Sequence, residues 1–445
     1  MVKNVDYIHP IQIGELLRKK RKELGLRLED LADDFISPST ISNIERGITY
    51  VNEEKVRYIA EKLNVNLDRA HDLLAKEKQE EEQMVLKLTA IESMVDLMNP
   101  DKGLERLRKL DVPANHKLAG MIHFLRGKIY LKKKNWVKAK NYFLEAIRIM
   151  EQREDRSMSN IKAASYHELS RIAYENKEWN QALSYIEEGI SHFKEEGQRN
   201  HYKYLLQVSR IIYLNEANRL EEALRQIEKF WKEIGCIESI DTVLELYMVR
   251  IKVLMKLKLY DEAIRYAVQG IELARINKKV AKACELWQLM GKVYLLIKKW
   301  EEAEDCFLTV LSLQEKLKND LLKIRGQTYL GLSYLGQNRW SEAEEVLQEA
   351  GSGCERSQQT EVSRETYMAL GDCYLQQARY QEAILYYEKA RELAGKEGDR
   401  EGEHKIILKL AQCYERVDFT KFQEYVTELY KIEMAVEQGK ELSVR

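Results

Sequence analysis

Apolar residues recur along this chain at spacings of three and four, the pattern of helices with one buried face. In the first 75 residues the stripes are short. Ile13, Leu16 and Leu17 predict a first helix, ended by Gly25. Leu28, Leu31, Ala32 and Phe35 predict a second, short one. Ser37-Pro38 reads as an N-cap followed by proline at the first helical position, opening a third helix through Ile41 and Ile44 that Gly47 stops. Val56, Ile59, Ala60 and Leu63 predict a fourth helix, and Leu67, Ala70, Leu73 and Leu74 a fifth. Five helices within residues 1–75 imply a compact domain with its own core.

Beyond this domain a longer period takes over. An aromatic residue or Leu stands three residues before an alanine in seven pairs: Trp136/Ala139, Trp179/Ala182, Leu220/Ala223, Tyr260/Ala263, Trp300/Ala303, Trp340/Ala343 and Tyr380/Ala383. The alanines step by 43, 41, 40, 40, 40 and 40 residues. Twelve residues before each lies Gly127, Ser170, Ile211, Ile251, Gly291, Gly331 or Gly371, small in five of seven. Tyr130, Tyr294, Tyr334 and Tyr374 follow three residues after that site, and pairs such as Phe143/Ala146 and Phe307/Val310 follow the alanine. These offsets are those of tetratricopeptide repeats, two antiparallel helices A and B per unit, drawn out from about 34 residues to 40. One hairpin cannot bury its apolar face alone, so neighbours stack. A hairpin around Ala411 and Tyr414, with Gln423 at the alanine site, reads as a degenerate end cap. A weaker one spans 85–115. The expected fold is all-α: a five-helix, lambda-repressor-like helix-turn-helix domain over 1–75, a charged helical linker over 76–84, and about nine hairpins over 85–445 in a right-handed superhelix.

Composition narrows the function classes. No proline occurs in the 332 residues after Pro113, which excludes a loop-rich or β-rich C-terminal region. No apolar run approaches a bilayer span, and the start Met-Val-Lys-Asn-Val-Asp lacks the apolar core of a signal peptide, so a cytoplasmic protein without membrane contact is expected. Net charge is −1, from 72 basic and 73 acidic residues, so nucleic acid is not bound by bulk charge. Six single cysteines with no C-x-x-C pair read as reduced packing thiols. The chain has no phosphate-loop, H-E-x-x-H or G-x-S-x-G motif, and its histidines are not paired at metal spacing. Neither an enzyme nor a metal or cofactor site is expected.

Leu31 to Gly47 (Leu-Ala-Asp-Asp-Phe-Ile-Ser-Pro-Ser-Thr-Ile-Ser-Asn-Ile-Glu-Arg-Gly) and Ile13 to Arg21 resemble the Xre/Cro-like repressor helix-turn-helix over about residues 11–75. The inter-helix turn is one residue shorter than in many members, as in the subgroup fused to tetratricopeptide repeats. Leu28 stands where many members carry a phosphate-gripping Gln. The third helix of such a domain lies in the major groove. Ser39, Thr40, Ser42 and Asn43 face away from its Ile41/Ile44 stripe and are the candidate base readers, Asn being suited to adenine. Arg18, Arg27 and Arg46 are candidate phosphate contacts. Residues 1–75 hold 12 Lys/Arg against 13 Asp/Glu, so the basic footprint is a patch from Arg18 to Lys22.

The A helices should line a concave groove with the residues three before, one after and four after each small site. This face includes Phe124, Lys128, His167, Arg171, Tyr174, Asn215, Met248, Lys252, Met255, Gln288, Lys292, Thr328 and Asp372. The candidate peptide contacts are Lys128, His167, Arg171, Tyr174, Asn215, Lys252, Gln288 and Lys292. Their amides suit a peptide backbone and their cations a terminal carboxylate.

Together these parts resemble the RRNPP family of peptide-sensing regulators, in its NprR/PlcR-like arrangement. That resemblance implies a cytoplasmic quorum-sensing transcription regulator. It would bind double-stranded DNA at an inverted-repeat operator as a homodimer or higher homo-oligomer, and be switched by a short signalling peptide in the repeat groove. The alternative is a repeat scaffold that sequesters a partner such as a sporulation phosphorelay protein.

Overall fold

The computed structural model describes residues 10–48, 52–110, 112, 116–152, 159–317, 319–356, 360–397 and 400–442. Residues 1–9, Pro113 and the side chains of Ala70, Leu73 and Leu74 lie outside that description. Among the described residues there are twenty-two α-helices, one short 3-10 helix and no strand. They form two compact units, residues 1–155 and 156–445.

The first unit opens with α1 (Pro10–Glu23), α2 (Leu28–Leu31), α3 (Pro38–Glu45) and α4 (Glu53–Lys62). Leu17, Leu31, Ile36, Ile41, Ile44, Ile59, Ala60 and Leu63 form their common core. At Gly14 the helices α1 and α3 approach so closely that a Cβ would run into the carbonyl oxygens of Ile44 and Glu45. Gly47 adopts φ +69°, the left-handed conformation that ends α3. The second helix is shorter than its apolar spacing predicts. Asp33 explains this: its carboxylate accepts from the backbone N–H of Phe35 at 2.9 Å and of Ile36 at 3.1 Å, a turn that competes with the helix. Ile36 therefore enters the core, while Phe35 stays exposed and packs edge-on against Tyr58.

The fifth helix is longer than its sequence stripe. Helix α5 runs unbroken from Leu67 to Leu97, through the charged run 76–83, and pairs with α6 (Pro100–Arg108). No Gly or Pro interrupts that run, so nothing stops the helix. The unit closes with the hairpin of α7 (Ala119–Lys132) and α8 (Trp136–Gln152).

The second unit is seven hairpins: α9 (Ile161–Glu175) with α10 (Trp179–Ser191), α11 (His201–Glu216) with α12 (Leu220–Trp231), α13 (Ile240–Lys256) with α14 (Tyr260–Ile276), α15 (Val280–Leu296) with α16 (Trp300–Leu317), α17 (Asp320–Gly336) with α18 (Trp340–Arg356), α19 (Thr360–Gln376) with α20 (Tyr380–Glu397), and α21 (Arg400–Val417) with α22 (Phe419–Leu442). A helices pack on the next A helix, and B helices on the following A helix, as in α11 on α13 and α14 on α15.

The repeat columns have physical roles. Each B helix from α8 to α20 begins at the aromatic or Leu, and the alanine three residues on is fully buried in all seven. The small site faces the residue sixteen further on. At Gly127 an added Cβ would lie 2.5 Å from the Phe143 ring, and at Gly291 2.6 Å from that of Phe307. Where the small site is Ile251, the matching position is Ala267, so bulk is traded across the hairpin. A column invisible in the apolar pattern fixes each turn: Lys134, Lys177, Asn218, Lys258, Lys298, Asn338 and Ala378 all adopt left-handed φ of 55–62°. The next residue's N–H then closes the A helix, as Arg379 does to the Tyr374 carbonyl at 2.9 Å.

The cysteines are free thiols, with Cys236 exposed and the other five buried. Burial pushes the Cys284 and Cys413 thiols up to about 11, so both are uncharged at neutral pH and behave as packing groups. No described helix is long and apolar enough to cross a membrane.

Candidate functional site

Two places collect the chemistry expected from the sequence, one in each unit. In the first unit, α3 is held by its N-cap: Ser37 Oγ accepts from the Thr40 backbone N–H at 3.3 Å, with Pro38 in the first turn. The Ser39 and Thr40 hydroxyls each lie 2.9 Å from Ser37 Oγ. Arg46 Nη2 donates to Ser42 Oγ at 2.9 Å. Asn43 makes no side-chain hydrogen bond among the described residues, so its amide is unengaged. None of Ser39, Thr40, Ser42, Asn43 and Arg46 is buried, and Arg18 and Arg27 are exposed. The basic patch on α1 is smaller than its sequence suggests, because Arg21 turns inward to Glu45.

In the second unit, a cavity of about 560 Å³ lies on the inner faces of α9, α11, α13 and α15. His167, Arg171, Tyr174, Asn215 and Lys252 line it together, five of the eight expected peptide contacts, with Met248 beside them. The other three lie elsewhere. Lys128 is in the first unit, where its ammonium donates to Glu92 at 3.0 Å and Asp96 at 2.7 Å of α5. Gln288 is buried and donates to the Leu322 carbonyl at 3.4 Å. Lys292 sits 4.3 Å over the Tyr329 ring, and burial lowers its pKa. Of the wider face, Phe124 is core, Thr328 is buried against the Thr366 hydroxyl, and Asp372 accepts from Tyr387 and Lys409.

A polar network braces the α9 wall. His167 Nε2 lies 3.1 Å from Ser209 Oγ, and Arg171 Nη1 donates to Glu168 at 2.8 Å. Tyr202 also donates to Glu168, at 3.3 Å. The Ser170 and Tyr213 hydroxyls are 3.2 Å apart, and burial pushes the Tyr213 phenol up to about 12. The Tyr174 ring stacks on that of Tyr213 with centroids 5.0 Å apart.

The lining is more acidic than the expected mixture of cations and amides. It carries Glu168, Glu175, Glu216, Asp241, Glu245 and Glu285 against Arg171 and Lys252. Glu175 and Glu216 directly follow Tyr174 and Asn215, five residues after the small site, a position the three-residue face rule leaves out. A second hollow of similar volume, near Glu388 and Arg391, opens on the surface and holds none of the expected residues.

Comparisons with known proteins fit this division. Residues 17–69 match the helix-turn-helix family model, and residues 263–434 match that of the soluble NSF attachment protein, SNAP. No curated protein matches the chain significantly by sequence. Among solved structures, the apo form of RapI superposes with a TM-score of 0.61 at 12% identity, over 80% of this chain and 98% of its own. A Rap protein complexed with Competence and Sporulation Factor gives 0.55 at 11%, over 80% and 99%. The apo quorum sensor NprR from B. thuringiensis gives 0.46 at 14%, over 93% and 99%. The chain thus carries a helix-turn-helix domain and a tetratricopeptide-like repeat domain with the fold of Rap proteins.

Proposed function

We propose that the protein is a transcriptional regulator of the RRNPP type that reads operator DNA with α3 and is switched by a short signalling peptide bound in the α9–α11–α13–α15 cavity. The observation that carries this reading is the convergence of His167, Arg171, Tyr174, Asn215 and Lys252 on one cavity, in a chain that also holds a capped helix with the Asn43 amide free. In this reading residues 1–75 bind DNA, 76–84 link, and 85–445 bind ligand and form a homodimer. Asn43 and Ser39 contact base edges, with Thr40 and Ser42 beside them, while Arg18, Arg27 and Arg46 neutralise phosphates. Two reading heads would meet an inverted repeat with half-sites about 34 Å, or a multiple, apart. In the cavity, amide and hydroxyl groups pair the peptide backbone, and Tyr174 and Met248 offer surface for its side chains. The protein acts in the cytoplasm and is not an enzyme.

The test is a genomic-DNA pull-down with the full-length protein, sequenced against Asn43→Ala. Enrichment of a palindromic site that disappears in the variant supports the reading. Equal enrichment by both proteins sinks it. The Rap fold of the repeats favours one second reading, a scaffold that holds a protein partner such as a phosphorelay component. Deletion of residues 1–75 separates the two, since a scaffold keeps its cellular effect without them.

A further inference from the structure

The lining charges of the cavity are not equally compensated. Glu168 is held by Arg171, Asp241 by Lys279, and Glu245 by Lys282. Glu285 lies 3.8 Å from Lys282 and near Lys252. Glu175 and Glu216 form no salt bridge among the described residues. They are the last residues of α9 and α11, where the negative end of each helix dipole adds further negative potential. Lys256 already answers that potential on one side, its ammonium donating to the Asn215 carbonyl at 2.8 Å.

Beside Glu216, and lining the same cavity as Glu175, sits Asn215, 2% exposed. Its Nδ2 donates to Glu216 Oε1 at 3.1 Å, which fixes the amide's orientation. Its Oδ1 is then a buried acceptor with no partner. Buried polar atoms are seldom left so, and an N–H donor is what this one lacks. The Tyr174 ring lines the same end, and the Glu216 charge adds to burial in raising its phenol pKa. An acceptor, two carboxylates, two helix C-termini and an aromatic face are all complementary to one chemical group.

We propose that this end of the cavity is an ammonium subsite, in which a primary amino group of the ligand donates to Asn215 Oδ1 and is balanced by Glu216 and Glu175. The inference rests on the peptide reading above and specifies it: the peptide enters with its amino terminus, or a lysine, against α9 and α11. A polyamine carries the same chemistry, so the experiment separates the two sources.

Full-length protein is equilibrated with three random heptapeptide pools: free amino terminus, N-acetylated with lysine, and N-acetylated without lysine. Spermidine is a fourth ligand. Retained peptides are sequenced, resynthesised and titrated by calorimetry against the parent, Glu216→Gln and Glu175→Gln. Glu216→Gln keeps an oxygen for the Asn215 Nδ2 donor, so it removes charge with little change of shape. Retention of the first two pools only, with affinity falling about tenfold in Glu216→Gln, supports the subsite. Equal retention of the lysine-free acetylated pool overturns it and leaves the peptide reading standing. Spermidine binding with no peptide retained keeps the subsite and removes the peptide reading. If no ligand binds, both fall.

Discussion

Arg21 of α1 forks onto Glu45 of α3, Nε to Oε1 at 2.6 Å and Nη2 to Oε2 at 2.9 Å. The side chains are 11% and 7% exposed, and Arg21 Nη1 also donates to the Leu26 carbonyl at 2.8 Å. The hydrogen bonds that Arg21 donates to Glu45 raise the guanidinium pKa, so the guanidinium stays charged. This contact holds α3 against α1. Glu45→Ala leaves a desolvated cation unpaired and is expected to destabilise the helix-turn-helix by about 3 kcal/mol. Hydrogen exchange at the α3 amides measures it. The double variant Arg21→Met/Glu45→Met should recover most of the loss, because two apolar groups need no partner there.

The candidate base and phosphate contacts predict different losses. Asn43→Ala removes the candidate base-reading amide, with an expected cost of about 1–3 kcal/mol at one operator position and relaxed specificity there. Arg18→Ala or Arg27→Ala weakens binding to all sequences alike. Each lowers the slope of log affinity against log salt by about 1. Anisotropy titrations of an operator duplex at several salt concentrations distinguish them. A specificity change in Arg18→Ala, or an unchanged salt slope, refutes its assignment to a phosphate.

The fold was legible because its columns are chemical necessities. From α8 to α20 the alanine of each B helix is fully buried, and the aromatic residue or Leu before it starts the helix, so both recur at a fixed period. Phe35 departs from its apolar spacing for the opposite reason. Apolar spacing predicts a helix there, but one carboxylate, Asp33, hydrogen-bonds the backbone into a turn, also takes a hydrogen bond from the Tyr58 hydroxyl at 2.6 Å and pairs with Lys62. Lys128 and Lys292 satisfied the face rule and still left the cavity, because a rule about one helix does not know that α5 supplies carboxylates or that Tyr329 supplies a ring. Glu175 and Glu216 carry no signal in the sequence, where they are ordinary polar residues at a helix end.

Gly291 provides a packing test. In mid-helix a Gly→Ala change ordinarily stabilises, by about 1 kcal/mol. Here the new methyl would sit 2.6 Å from the Phe307 ring, which is fully buried and has nowhere to turn. Gly291→Ala is therefore expected to destabilise the second unit by about 1–3 kcal/mol. Ser170 faces Ile186 at the equivalent positions, so Gly291→Ala/Phe307→Ile should be milder than the single change. Urea unfolding followed by far-UV dichroism orders the three proteins. A Gly291→Ala protein more stable than the parent contradicts the packing.

Glu285 provides a pH test. Burial first, then the nearby Glu245 charge, raises its carboxyl pKa above the ordinary value, against the pull of Lys282, Lys252 and Arg325. The folded chain therefore binds this proton more tightly than the unfolded chain does. Its contribution is favourable below the unfolded pKa and declines as pH rises towards the folded one. Above that range the ionised group is a net liability. Glu285→Gln is expected to raise the melting temperature at pH 7, and the advantage should shrink as pH falls through the carboxylate range. Scanning calorimetry of both proteins from pH 4 to pH 8 reads the difference directly. An advantage that grows on acidification instead would mean that the carboxylate is stabilised in place, with Lys252 and Lys282 outweighing its burial.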